Sequence, residues 1–310
     1  MEHVPVLADE AIHWLAPRPG GIYVDATAGA GGHALRIAGR LESGRLIALD
    51  RDPQAVELAR ERLRGFPQAE VLQGNYGDLA AHLDELGLDA VDGVLIDAGV
   101  SSVQLDAPGR GFSFQAEGPL DMRMNPAEGL PANAFLAERS EQEIFGFLRE
   151  YGDVRPARRL ARALGSAARA GKLQTTGDLV RCVQDALNVH HRIPEEARTV
   201  FQAIRIAVND EFSHLRRGVE QAIARLRPGG RFVGIAFHSG EDRIIKDALR
   251  RASRPEERRW PDGRVRERIP PRVRLLTRKP VQPRREEVMR NPRAQSACLR
   301  AAERLGAAEE

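Results

Sequence analysis

Cys182 and Cys298 are the only two cysteines in a chain of 310 residues. That is too few for a disulfide framework or a cysteine-ligated zinc, so thiol chemistry does not organise this fold. No apolar run approaches the roughly 18 residues needed to span a bilayer. The opening stretch MEHVPVLADEAIHWL also lacks a basic, apolar, cleavable leader. A cytoplasmic protein with no membrane partner is expected. Aromatics are scarce at 5%, so no stacking platform for single strands is evident, although Trp260 lies inside a basic stretch. No metal is expected either. His190 and His191 are adjacent and would point apart on a helix, and no carboxylate or thiolate is spaced to join them.

What is present suffices for one large domain with an insertion, or for two domains: 42% of residues are hydrophobic and 29% charged. The net charge is only +3, but it is unevenly spread. Between Arg250 and Arg293 there are 16 Lys and Arg against 6 Asp and Glu, so the rest of the chain is acidic. Such a segment can neutralise phosphates and gain affinity by releasing counterions, or it is simply a solvated arginine-rich tail.

Short apolar runs at Ile22–Asp25, Arg45–Asp50, Glu70–Gln73 and Val91–Asp97 alternate with helical periodicity at Ala34–Leu41, Pro53–Leu63 and Leu79–Leu86. This βα alternation predicts a doubly wound, Rossmann-like parallel sheet. From Leu105 to about Thr199 the strand signal vanishes, and Gly- and Pro-rich punctuation leads into helices at Ser140–Tyr151, Arg155–Ala170 and Thr176–Leu187. The expected organisation is a discontinuous cofactor domain, residues 1–105 and 200–310, holding an all-helical insertion at 106–199. The α/β pattern returns with a helix through Phe201–Leu226, a turn at Arg227–Gly230 and a strand at Arg231–Phe237. Strands at Val273–Thr277 and Ala297–Ala302 follow, separated by a Pro- and Arg-rich stretch expected to be a mobile loop.

The first strand runs into VDATAGAGGHA, where Gly29, Gly31 and Ala34 fit a Gly-x-Gly-x-x-Gly/Ala fingerprint. Glycines there let a ligand approach the backbone, and the N–H groups of Gly31, Gly32 and His33 at a helix start can hold an anion. Asp50 ends the second strand, where a carboxylate accepts ribose hydroxyls or else caps the helix before Pro53. An adenosine-containing cofactor fits this frame. A dinucleotide would bring its pyrophosphate beside Asp25, in a loop with no Lys or Arg between Gly20 and Leu35. S-adenosylmethionine instead brings a sulfonium and an ammonium, for which Asp25 and Asp97 at strand ends are acceptors. The methyl donor is favoured; a dinucleotide oxidoreductase and a non-catalytic RNA-binding assembly factor are the alternatives. His238, Glu241 and Asp242 follow the Phe232–Phe237 run and could border the same crevice, so Asp97, His238 and Glu241 are the candidate catalytic residues. A structural role for His238 is equally compatible. Carbon-5 methylation of a pyrimidine would need a cysteine nucleophile, and neither cysteine lies in a strand-end loop. Asp121 and Arg123 form either a lid or an ion pair with each other, and Met122 and Met124 are packing residues.

These motifs, in order along the chain, resemble the small-subunit ribosomal RNA methyltransferase H (MraW) family. The resemblance is carried by His3–Glu10, Asp25–His33, Ala48–Gln54, Asp97–Asp106, Arg110–Phe114, Gly118–Asn125, Phe201–Asn209, Phe237–Arg243 and Asn291–Arg304. It implies a class I methyltransferase that modifies N4 of a cytidine in the decoding region of 16S rRNA, with the small ribosomal subunit as partner. It also implies S-adenosylmethionine contacts at Gly31, Gly32, His33, Asp50, Tyr76, Asp97 and Gln104, and an RNA-binding insertion. Five departures stand out: Ala98 for leucine, Val103 for proline, Gly240 for leucine, Tyr76 for phenylalanine, and Ala197-Arg198-Thr199 for Ala-Thr-Arg.

Overall fold

The computed structural model describes residues 5–306, so His3 and Val4 of the first motif lie outside the described residues. The chain separates into two compact units, Met1–Gly99 with Phe212–Glu310, and Val100–Glu211. The first unit begins α1 (Ala8–Leu15), β1 (Ile22–Asp25), α2 (Gly32–Ala38), β2 (Arg45–Asp50), α3 (Pro53–Leu63), β3 (Ala69–Gln73), α4 (Leu79–Glu85), β4 (Val91–Asp97). Helices α5 (Ser102–Asp106), α6 (Ala132–Glu138), α7 (Glu141–Gly152), α8 (Ala157–Arg169), α9 (Thr176–Leu187) and α10 (Glu195–Asn209) build the second. The first then resumes with α11 (Glu211–Arg225), β5 (Leu226–Ala236), α12 (Ser239–Ala252), β6 (Glu256–Arg259), β7 (Val265–Ile269), β8 (Val273–Leu275), α13 (Arg285–Arg290) and β9 (Cys298–Arg304).

Seven strands form one sheet in the order β3-β2-β1-β4-β5-β9-β8. Strands β1 to β5 are parallel, and β9 runs antiparallel to both β5 and β8. This is the expected doubly wound, Rossmann-like sheet. Its strand order reverses between β1 and β4, where such sheets open a crevice at their carboxyl ends. Both faces are covered, as a parallel sheet requires. Along β4, Val94 and Ile96 join one core while Leu95 joins the other, and Phe232 and Val233 of β5 divide in the same way. Each such fully buried side chain stabilises the fold by about 1.5–3 kcal/mol relative to exposure.

The second unit has its own core, built from Leu136, Ile144, Leu148, Leu160, Leu164, Leu179 and Ile204 among others. Capping boxes start three of its helices: Ser101 with Gln104, Ser140 with Glu143, and Thr175 with Asp178. Arg123 and Asp121 form a bidentate ion pair, with Nε–Oδ1 at 2.7 Å and Nη2–Oδ2 at 2.8 Å. The flanking Met122 and Met124 are buried in the same core.

Three expectations are corrected. The helix expected through residues 201–226 is two helices, because Asp210 takes a left-handed conformation (φ 46°) that ends α10. The Asn209 side chain holds this break by accepting from Met124 N and donating to Met122 O, both at 2.7 Å. The stretch between the last two strands of the sheet is not all loop: it carries α13, whose Glu287 accepts the Leu7 N–H at 2.7 Å. The turn at Arg227–Gly230 lies inside β5 as an irregularity, with the register shifting opposite Val91 and Gly93 and Gly229 at φ +78°. Strands β6 and β7 form a separate antiparallel hairpin that the apolar pattern does not signal.

Candidate active site

Four functional candidates sit at the carboxyl edge of the parallel sheet because each strand ends on or just before them. Asp25 closes β1, Asp50 closes β2, Asp97 closes β4, and Tyr76 follows β3 by three residues. The loop after β1 is pinned to both neighbouring strands, since Ala26 N donates to Leu95 O and Ala28 N to Leu49 O. Thr27, unnoticed in the sequence, completes the pinning: its Oγ1 accepts from Asp97 N at 2.7 Å.

The crevice gathers three carboxylates, of which Asp25 is sealed from water and Asp50 and Asp97 are partly so. Asp25 is fully buried; Oδ1 accepts from Thr27 N at 3.2 Å, while Oδ2 has no hydrogen-bond partner among the described residues. Burial, only partly opposed by His33, pushes its pKa up to about 6. Asp97 Oδ1 is likewise buried without a partner. Its Oδ2 lies 3.5 Å from His33 Nε2, close enough for attraction but too long for a good hydrogen bond. His33 is buried, which works against the imidazolium, but the Asp97 and Asp25 carboxylates outweigh this and raise its pKa.

Asp50 Oδ2 accepts from Gly29 N at 2.8 Å and Oδ1 from Asp52 N at 2.9 Å. Burial again pushes the carboxyl up to about 6. The cap of α3 is Asp52, which accepts from Gln54 N at 3.0 Å, so Asp50 is not the helix cap. Gly29 sits at φ +51°, and a Cβ there would meet nothing within 4 Å. A side chain would therefore intrude on open space over the loop.

The glycines divide differently from the expectation. Gly31 N donates to Ala28 O at 2.7 Å, so this N–H is not free to hold an anion. A Cβ on Gly31 would meet Arg62 and Ala59 of α3, and one on Gly32 would meet Pro5; both glycines serve close packing. Arg62 was also missed: from α3 it donates to Ala30 O at 3.1 Å, supplying the loop with a cation that the loop's own sequence lacks. Only the helical face of α3 could have signalled it.

The remaining candidates have evident structural tasks. His238 is the N-cap of α12, its Nδ1 accepting from Gly240 N at 3.2 Å. Glu241 is buried and closes the box by accepting from Phe237 N at 2.8 Å and His238 N at 3.3 Å. His238 Nε2 lies 3.0 Å from Glu241 Oε1 without hydrogen-bond alignment. Glu241 Oε1 also stands 3.5 Å from where a Cβ of Gly99 would be, so it borders the loop after β4. Tyr76 packs over Gly218 of α11. Gln104 belongs to the other compact unit, where its Oε1 accepts from Ser101 N at 3.0 Å.

Burial disfavours the thiolate form of both cysteines. Burial pushes Cys182 up to about 11 and Cys298 up to about 12, the latter also beside the Asp242 carboxylate.

The cradle fits a cationic adenosyl ligand: two buried carboxylate oxygens lack partners, a carboxylate ends β2, and an open glycine lies between them. A pyrophosphate would meet those same carboxylates and be repelled. Comparison with known proteins agrees. The profile of the MraW methylase family matches residues 1–305. The chain is 46% identical over 313 residues to the ribosomal RNA small subunit methyltransferase H of Geobacter sulfurreducens, covering 98% of this chain and 99% of that one. It is 45% identical over 315 residues to the protein of the same name from Pelobacter propionicus, covering 98% and 99%. An rRNA methylase structure from Streptococcus thermophilus aligns with TM-score 0.42 and 12% identity over 96% of this chain and 94% of that one. The sheet, the strand-end carboxylates and the sequence match over nearly the full length converge: this chain belongs to the MraW methylase family.

Proposed function

We propose that the chain transfers a methyl group from S-adenosylmethionine to N4 of a cytidine in the decoding region of 16S ribosomal RNA, acting on the small ribosomal subunit. The observation that carries the reading is the pair of unpartnered carboxylate oxygens on Asp25 and Asp97, on adjacent strands at the switch point. When bound, S-adenosylmethionine supplies an electrophilic methyl on a cationic sulfur. Asp25 is assigned to the cofactor's positive charge and Asp50 to its ribose hydroxyls. Gly29 keeps the loop open, and Gly31, Gly32, His33 and Tyr76 shape the cradle. Gln104 is assigned to the cofactor on the strength of the family resemblance.

As N4 takes the methyl and gains positive charge, Asp97 accepts its N–H and draws off the proton, which passes on to water and leaves a neutral methylated amine. An exocyclic amine needs no covalent activation, in keeping with two thiols that stay protonated. His238 and Glu241 border the site and cap α12, which makes them positioning groups for the end of β5. The helical unit is assigned to RNA recognition, and a base lifted from its stack would reach the crevice.

The test is methyl transfer from labelled cofactor to isolated small subunits and to free 16S rRNA, followed by nucleoside analysis. Label in N4-methylcytidine is expected. Label in 5-methylcytidine, or heat of binding for NAD but not for S-adenosylmethionine, would overturn the reading.

A further inference from the structure

The β6–β7 hairpin contributes nothing to the crevice, yet it is ordered around an exposed aromatic ring. Its tip is the sequence Trp260-Pro261-Asp262-Gly263-Arg264. Trp260 N donates to Arg264 O and Gly263 N to Trp260 O, both at 2.8 Å, with Gly263 at φ +88°. The Trp260 ring carries the Arg266 guanidinium 4.7 Å from its centroid and is still 49% exposed. With one face on a guanidinium and about half its surface in water, the ring offers a flat face on which another planar group can stack. Arg264 pairs with Asp262 and Arg268 with Glu257 through guanidinium groups that are themselves mostly in solvent, so these pairs exchange readily for phosphate. Beneath the hairpin a groove of about 230 Å³ adds Arg251, Arg254 and Arg272 beside Glu220 and Glu256, with Arg251 paired to Glu220 at 2.9 Å.

The hairpin's position in the sheet decides what it could reach. Helix α12 starts at the carboxyl end of β5, beside the crevice, and runs for 14 residues, about 21 Å, before the hairpin begins. β8 then re-enters with Val273 opposite Arg304, at the end of β9 that lies beside Arg231, where β5 has barely begun pairing with it. The hairpin therefore leaves the sheet at the edge opposite Asp25, Asp50 and Asp97. Nucleotides adjoining the methylated base cannot be its ligand.

From this placement we propose that the hairpin is a remote RNA anchor: Trp260 stacks on an unpaired base of the substrate RNA far from the target, with Arg264, Arg266 and Arg268 on the flanking phosphates. The proposal rests on the reading of the chain as an rRNA methyltransferase and adds that its substrate is a large folded RNA held at two separated points. Stacking on an aromatic side chain tolerates any base, and an arginine beside the ring strengthens it.

Filter binding of full-length 16S rRNA and of a short stem-loop carrying only the target region tests this, with S-adenosylmethionine calorimetry as the folding control. Trp260→Ala should weaken binding of the full-length RNA about tenfold, and Trp260→Phe should restore most of it. The triple reversal Arg264→Glu, Arg266→Glu, Arg268→Glu should also flatten the salt dependence. Cofactor affinity and stem-loop binding should not move. Unchanged affinity for the full-length RNA, or an equal loss on both RNAs, would overturn the anchor. A loss seen only with small subunits and not with naked RNA would overturn it in favour of a protein contact. Failure of the underlying reading is separately visible, as wild-type protein that methylates no rRNA at all.

Discussion

At Asp25 a carboxylate is sealed from water with one oxygen unpartnered, and the sign of the resulting pH dependence can be worked out. Its folded-state pKa, about 6, lies above the ordinary carboxylate value, so the folded chain takes up this proton before the unfolded chain does. The cost of burying the charge is therefore fully present at neutral pH, begins to fall as pH drops below about 6, and is gone only below the ordinary carboxylate range. Asp25→Asn should stabilise the ligand-free protein by about 1–3 kcal/mol near pH 8, and that advantage should shrink toward pH 5. Denaturant melts across this range check it; an advantage independent of pH would contradict the account. Cofactor affinity should move in the opposite sense. A cation needs Asp25 and Asp50 ionised and His33 neutral, so calorimetry should find S-adenosylmethionine binding weakening as pH drops through about 6. Asp97 calls for a kinetic test. Asp97→Asn keeps the shape and removes the anion, so single-turnover methylation at saturating cofactor and RNA should fall at least tenfold. A near-normal rate with only the cofactor dissociation constant raised would make Asp97 a cofactor ligand alone.

At the scale of elements, the start of α12 shows how a candidate catalytic pair can be a structural one. Glu241→Ala removes the acceptor for two backbone N–H groups and should cost about 1–2 kcal/mol, while Trp260 variants leave stability untouched. Gly240 stands where the resembled family has leucine, and a Cβ there would lie 2.5 Å from the Phe212 ring. Gly240→Leu should therefore destabilise by about 1–3 kcal/mol, and adding Phe212→Ala should recover part of the loss. Additive melting shifts in the double variant would show that the ring is not the obstacle. The strands β1, β2 and β4 were readable to the residue, because runs such as Val94-Leu95-Ile96 end abruptly at an aspartate. The hairpin was not, since its alternation is of charges rather than apolar residues; its Trp-Pro-Asp-Gly-Arg turn was the available signal. The break at Asp210 was hidden because helical periodicity continues through it, and only the αL backbone with the Asn209 bonds reveals it.

For the whole molecule, the alternation of strands and helices sufficed to predict the sheet and its crevice, because parallel topology forces strand ends onto one edge. The electrostatics within that crevice were only partly legible. That Asp25, Asp50 and Asp97 share an edge follows from strand endings, but which of their oxygens already have partners depends on loop geometry that no spacing encodes. The Gly31 N–H, spent on Ala28 O, and Arg62, arriving from another helix, are the clearest cases. Among the described residues no helix is long and apolar enough to cross a membrane. The chain divides into a sheet-based unit and a helical unit, each with its own core. The central claim is the identity of the methylated atom, and mass spectrometry of 16S rRNA from cells with and without the gene tests it most directly. The account predicts that deletion removes one methyl group from N4 of a single decoding-region cytidine, restored by the wild-type chain but not by Asp97→Asn. An unchanged modification pattern, or a methyl lost from carbon 5 instead, would contradict it.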